Sequence, residues 1–191
     1  SDGTRFDLDT LRRFATAAPL AGEQFLTGLV ELPVPPGRYI ATVVLSQGEL
    51  GSIARLGEVR VPDARGALSV TDVVLGREGS GVRWQSGTTA VPLHPLNAYP
   101  KGGTAEVYYQ LAGLTQGTRY TSGIELFGAE DDPNKKARLA IEFETTATAD
   151  RAEVVRSLGL ENLTPGRYRV RLTVRGGGES TSATSWLTVV K

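Results

Sequence analysis

Along much of the chain, apolar and polar residues alternate with a period of two. From Arg167 to Arg175 the alternation is unbroken: Tyr168, Val170, Leu172 and Val174 take one face, and Arg167, Arg169, Arg171, Thr173 and Arg175 the other. That period belongs to a strand with one dry and one wet side. Leu139, Ile141 and Phe143 repeat the pattern within residues 138–145. Further strands are expected at 25–30, 39–45, 55–61, 68–75, 105–111, 120–127 and 185–190, the last with Trp186 turned inward. Residues 151–158 fit a strand or a short helix. Residues 76–87 read as a Gly-rich loop carrying Trp84, and 90–93 as a short extended piece. Pro92, Pro95 and Pro100 exclude a helix there and disfavour a central strand. Residues 1–24 carry the least pattern: 9–15 fit one or two helical turns capped by Asp9 or Thr10, and 5–8 fit an edge strand equally well.

The turns order these strands. Pro165-Gly166-Arg167-Tyr168 leads into the alternating strand, and Pro36-Gly37-Arg38-Tyr39 leads into another. Pro presets φ and Gly permits φ > 0, so each pair suits the centre of a type II turn. A tyrosine at the start of such a strand matches the tyrosine corner of immunoglobulin-like sandwiches, in which the hydroxyl bonds back to the chain upstream. Pro36, Gly37 and Tyr39, with Pro165, Gly166 and Tyr168, are therefore the expected structural corners. Each motif is followed by strand, Gly-containing loop and strand, which makes the two halves a repeat. The expected fold is all-β: tandem immunoglobulin/fibronectin III-like β-sandwiches. Residues 1–66 are the first and incomplete one, with an irregular N-terminal segment. Residues 67–191 form a complete sandwich of seven or eight strands, and 62–66 are the boundary. An incomplete sandwich leaves apolar faces wet and edges unpaired. Upstream residues, the second domain or a partner chain would have to supply the missing surface.

Composition narrows the function classes. The chain has 191 residues, 40% hydrophobic and 22% charged, enough apolar material for a packed core. Lys+Arg and Asp+Glu are both 21, so no basic excess points to nucleic acid or an anionic membrane. No apolar run reaches the ~20 residues of a membrane-spanning helix. Cysteine is absent, which excludes disulfides and thiolate metal sites. Methionine is absent too, even at residue 1, and points to a processed or partial chain.

Reactive chemistry is sparse. His94 is the one histidine; it lies in an apolar, proline-flanked segment and reads as structural. Glu130-Asp131-Asp132 lacks the spacing of a calcium loop, has Lys135 and Lys136 close by, and reads as a solvated hairpin tip. Asp72 fits a bulge or an inter-domain seam. Gly176-Gly177-Gly178 and Lys101-Gly102-Gly103 lead into no helix and are not phosphate loops. No catalytic residue, cofactor or metal is expected. The interaction candidates are Trp84, Tyr99 and the basic stripe Arg167, Arg169 and Arg171. A loop tryptophan is either tucked in or held out for a partner. The stripe faces either an acidic partner or the Glu and Thr of neighbouring strands.

The run 32–39, the link Val61-Pro62-Asp63, the run 68–75 and Val107 to Leu114 together resemble the C-terminal β-sandwich region of bacterial extracytoplasmic proteins of the GWxTD-domain type. The likeness covers about residues 25–191 and lacks the motif that names the family. It implies a secreted or periplasmic location and no catalytic residues. The expected function is a non-catalytic structural or interaction module. Its partners would be other proteins, as subunits of a larger membrane-associated complex, with no nucleic acid and no membrane span in this chain. The alternative is a carbohydrate- or peptide-binding module that stacks its ligand on Trp84, Tyr99, Tyr108 and Tyr109.

Overall fold

A computed structural model describes residues 4–22, 24–63, 66–132 and 134–191. Residues 64 and 65 of the expected boundary and Pro133 of the expected charged tip lie outside them. Among the described residues there are thirteen strands: β1 (Gly37–Gln47), β2 (Leu50–Val61), β3 (Ser69–Val70), β4 (Val74–Gly76), β5 (Val82–Ser86), β6 (Thr89–Leu93), β7 (Ala98–Pro100), β8 (Thr104–Ala112), β9 (Arg119–Gly128), β10 (Leu139–Thr146), β11 (Arg151–Gly159), β12 (Gly166–Gly176) and β13 (Glu179–Val190). The chain is all-β and immunoglobulin/fibronectin III-like, as its alternation predicts.

Two sheets make the sandwich. The first has the order β10-β9-β12-β13-β7; the second has β11-β8-β4-β6-β5, with β3 also on β8. β12 sits centrally, antiparallel to both β9 and β13. Its dry face, Tyr168, Val170, Leu172 and Val174, is 5% exposed or less and packs in one core with Ile124 and Leu126 of β9 and Val107, Tyr109 and Leu111 of β8. Leu172 and Ile124 lie directly opposite each other in the ladder, so the two strands present their apolar side chains to one face. The ends are tied by side chains. Glu179 on β13 accepts the Leu68 amide at 2.6 Å, and the buried Tyr99 hydroxyl on β7 donates to the Gly76 carbonyl at 3.1 Å.

Of the two alternatives for residues 151–158, the strand is the one formed, as β11. Several expectations are corrected. The stretch 76–87 is not all loop: Val82–Ser86 is β5, and Trp84 sits on it. The run 68–75 is two short strands broken at Thr71-Asp72-Val73. Trp186 does not face in. Its cross-strand neighbour is Arg169, on the wet face, while Leu187 opposes Tyr168 on the dry one. Residues 25–30 form no strand, and 5–15 are neither helix nor strand. Apolar content alone does not make a strand; the backbone needs a ladder partner, and among the described residues none pairs with this arm.

The Pro–Gly pairs are bends and not type II turns. Gly166 is already the first residue of β12, with φ 157°, and Gly37 opens β1 without a positive φ. At residue 37 the fit is tight: a Cβ there would lie 3.1 Å from the Tyr39 hydroxyl, because the ring folds back over it.

β1 and β2 form a two-stranded sheet of their own. The hairpin matches β12–β13 in detail. Both pairs have strands of 11 and 12 residues, and two residues connect each, Gly48-Glu49 and Gly177-Gly178. Within residues 1–66 the described strands are this one hairpin, without the sheets that bury its counterpart.

Candidate interaction surface

Both corners close in the same way. The Tyr168 hydroxyl donates to the Thr164 carbonyl at 2.7 Å, and the Tyr39 hydroxyl donates to the Pro35 carbonyl at 2.6 Å. The same four-residue reach-back follows the same Pro-Gly bend. Only the surroundings differ. Tyr168 lies in the sandwich core, whereas Tyr39 is half-buried, with Phe6 of the N-terminal arm edge-on to its ring at 5.8 Å.

The basic stripe is occupied within the chain. Arg167 lies over the Trp186 ring at 4.4 Å. Arg169 and Arg171 lie over Phe127 at 5.6 and 4.6 Å. Arg169 also donates to the Asp131 carbonyl at 3.3 Å, and Arg171 pairs with Glu125 at 2.9 Å. Phe127 is an apolar residue on the otherwise polar outer face of β9, opposite Arg169, yet it is fully buried under these guanidinium planes. The stripe therefore shields aromatic rings on the outer face of the first sheet; planar cations stack on aromatic faces at modest gain. At the open edge of the sandwich Arg156 of β11 covers Phe143 of β10 at 4.7 Å and donates to the Thr145 hydroxyl at 3.3 Å.

The outer face of the second sheet carries a small polar cluster. Gln110 donates to the Ser86 and Tyr108 hydroxyls at 2.6 and 2.7 Å. The Tyr108 hydroxyl donates to Ser86 at 2.8 Å, and Ser86 donates to Glu153 at 3.1 Å. The β5–β6 hairpin thus reaches back over β8 to β11, and Trp84 packs edge-on against Tyr108 at 5.4 Å. The indole N–H donates to the Glu31 carboxylate at 2.6 Å. Trp84 is half-buried and pinned to the arm that leads into the first hairpin.

The stacking platform of the alternative reading does not exist. Tyr99, Tyr108 and Tyr109 are all buried, at 1% exposure or less. Tyr99 and Tyr109 lie in the inter-sheet core and Tyr108 lies under Trp84. Burial pushes the Tyr99 and Tyr109 hydroxyls upward from the usual tyrosine value. Ser122 and Arg156 lie beside Tyr109 and oppose that shift, but its hydroxyl, Ser122 Oγ and Arg156 Nε all lack a partner in hydrogen-bonding geometry. His94 braces a turn: its Nε2 lies 2.6 Å from the Ala98 carbonyl, and its ring meets Tyr99 edge-on at 5.0 Å. Asp131 accepts both Arg138 Nε and the Gly128 amide, at 2.7 and 2.8 Å. The guanidinium, followed by the amide, holds its carboxyl at about 2. A shallow cleft of about 220 Å³, lined by Pro62, Thr71, Gln110, Arg151 and Glu153, lies beside this polar cluster; it is below the size of pockets that enclose a drug-sized ligand.

What remains open is apolar surface in the first third of the chain. Leu11, Phe14, Phe25 and Leu26 are exposed along the arm, and Ile40, Val44, Leu45, Leu50, Ile53 and Leu56 along the hairpin. Patterning marks these residues as core, and only the absence of a covering layer makes them surface. The signal available in the sequence was the length imbalance between the two repeat halves.

No protein-family model matches the chain, and no curated protein matches it. Among the described residues no helix is long and apolar enough to cross a membrane. Among solved structures, the PmoD soluble domain from Methylocystis sp. (Rockwell) is similar at 9% identity, over 67% of this chain and 100% of that one, with a TM-score of 0.32. A likeness that slight carries no argument.

Proposed function

We propose that this chain is a non-catalytic interaction module, an accessory or scaffold subunit that docks onto other proteins of an extracytoplasmic or membrane-associated assembly. One observation carries the reading: the arm and the β1–β2 hairpin expose apolar side chains that nothing in the sandwich covers. Monomeric proteins rarely leave large apolar patches in water, and contiguous ones mark interaction sites. An isolated two-stranded hairpin is also marginal by itself and gains stability when a further strand or layer is added. The extracytoplasmic location is supported by the resemblance to GWxTD-type proteins; fractionation of the source cells tests it, and a cytoplasmic pool refutes it.

The docking reading is tested with a photo-crosslinking residue placed singly at Phe25, Leu50 or Lys101 in the full chain. Adducts to a defined protein are expected from Phe25 and Leu50, and none from Lys101 on the sandwich. Equal adducts from all three positions, or none from the first two, refute it.

A further inference from the structure

We infer that β1 is a self-pairing edge: two copies of this chain join by antiparallel pairing of β1 with β1 about a two-fold axis through Thr42. The inference rests on reading the hairpin as an interaction surface, and it names one occupant of that surface.

The edges of the molecule differ in how they are protected. An exposed edge strand is ordinarily kept from pairing by short length, charge, proline or a bulge. β7 is 3 residues long and ends in Pro100. β5 is 5 residues long and carries Arg83. β10 carries Glu142 and Glu144, and β11 carries Arg151, Glu153 and Arg156. β2 carries Arg55, Glu58 and Arg60, and its pairing slips between Ala41 and Thr42 so that Leu56 has no opposite number; Gly57 beside it has φ 78°. β1 has none of these devices. It is 11 residues long, has no Lys, Asp, Glu or Pro, and has Arg38 as its one charge. Among the described residues it pairs with β2 alone, whereas its counterpart β12 is paired on both sides.

The sequence of β1 is also symmetric in polarity about its midpoint. With Thr42 opposite its own copy, Ala41 faces Val43, Ile40 faces Val44, Tyr39 faces Leu45, Arg38 faces Ser46 and Gly37 faces Gln47. Every apolar residue meets an apolar one on the same face, and each pair occurs twice, as an isologous contact requires. The two Arg38 residues lie eight steps apart, about 27 Å at a strand's rise per residue, so the like charges never meet. A shift of one residue in register would destroy the match. The product is a four-stranded sheet, β2-β1 followed by the partner copy's β1-β2. Ile40 and Val44, 75% and 67% exposed in the single chain, then lie against each other across the axis.

Thr42 is solvent-exposed and the chain has no cysteine, so the test is direct. Oxidation of full-length Thr42→Cys is expected to give a disulfide-linked dimer in native buffer and none in denaturant, because directly opposed strand residues fall within disulfide reach. Arg38→Cys is expected to give none. In sedimentation velocity the wild-type chain is expected to run as a dimer. Thr42→Lys and Thr42→Asp, each with an unchanged circular dichroism spectrum, should run as monomers, and a one-to-one mixture of the two should recover the dimer. A monomeric wild type, a dimer unaffected by Thr42→Lys, or equal crosslinking at residues 38 and 42 overturns the inference. A monomer that still gives adducts from Phe25 and Leu50 would sink self-pairing and leave the docking reading intact.

Discussion

Replacing Tyr168 with phenylalanine removes one oxygen from the second corner and leaves the ring. The structure sets the size of the effect. The hydroxyl donates to the Thr164 carbonyl at 2.7 Å; Tyr168 is 5% exposed, while Thr164 at the bend is exposed. A typical intramolecular hydrogen bond contributes ~0.5–1.5 kcal/mol net, and the exposure of Thr164 keeps the expected cost within that range, because water can take over part of the acceptor's hydrogen bonding. For a domain the size of this sandwich, 1 kcal/mol corresponds to roughly 3–6 °C in Tm. Thermal and urea unfolding followed by tryptophan fluorescence is the assay, since Trp84 and Trp186 both lie on sandwich strands. Tyr39→Phe is the internal control. It removes the same kind of bond, 2.6 Å long, from a hairpin that belongs to neither sandwich sheet, and should leave the sandwich transition in place. If Tyr168→Phe is as stable as the wild type, or Tyr39→Phe moves the transition as far, the corner bond does not brace the sandwich and the reasoning fails.

Leu172→Ala should cost ~2–5 kcal/mol by urea denaturation, as a fully buried leucine between two sheets; Val44→Ala, on the exposed hairpin, should change sandwich stability by less than ~0.5 kcal/mol. Tyr109→Phe should stabilise the sandwich or leave it unchanged, since it deletes a buried hydroxyl that has no partner; a loss above ~1 kcal/mol would show that the oxygen is satisfied in solution. Asp131 has a carboxyl held from 3.8 down to about 2 in the folded state, so its contribution is present above its ordinary pKa and is lost as pH falls from about 4 to 2. Carboxyl NMR titration should give a midpoint near 2 that returns toward the ordinary value in Arg138→Ala, and an unshifted midpoint in the wild type would contradict the pairing.

The all-β architecture was legible because its signals are local. Alternation from residue 167 to 175 fixes which side chains of β12 share a face, whatever lies beside them, and a tyrosine two residues past a Pro-Gly bend can reach back only a few residues along its own chain. The repeated strand–loop–strand order was legible for the same reason, but the strands proved longer than the pattern marked, and the matching lengths of the two hairpins emerged only from their cross-strand pairing. Tertiary structure decided which apolar stretches are covered. Leu172 and Val44 look alike in an alternating strand, but only Leu172 has a second sheet above it. Cross-strand register turned Trp186 toward the arginines by placing Leu187 opposite Tyr168. The fold of the β5–β6 hairpin back toward β11 buried Tyr108 and tied Trp84 to Glu31. Each of these depends on which strand lies next to which, and non-local pairing leaves no mark within a window of neighbouring residues.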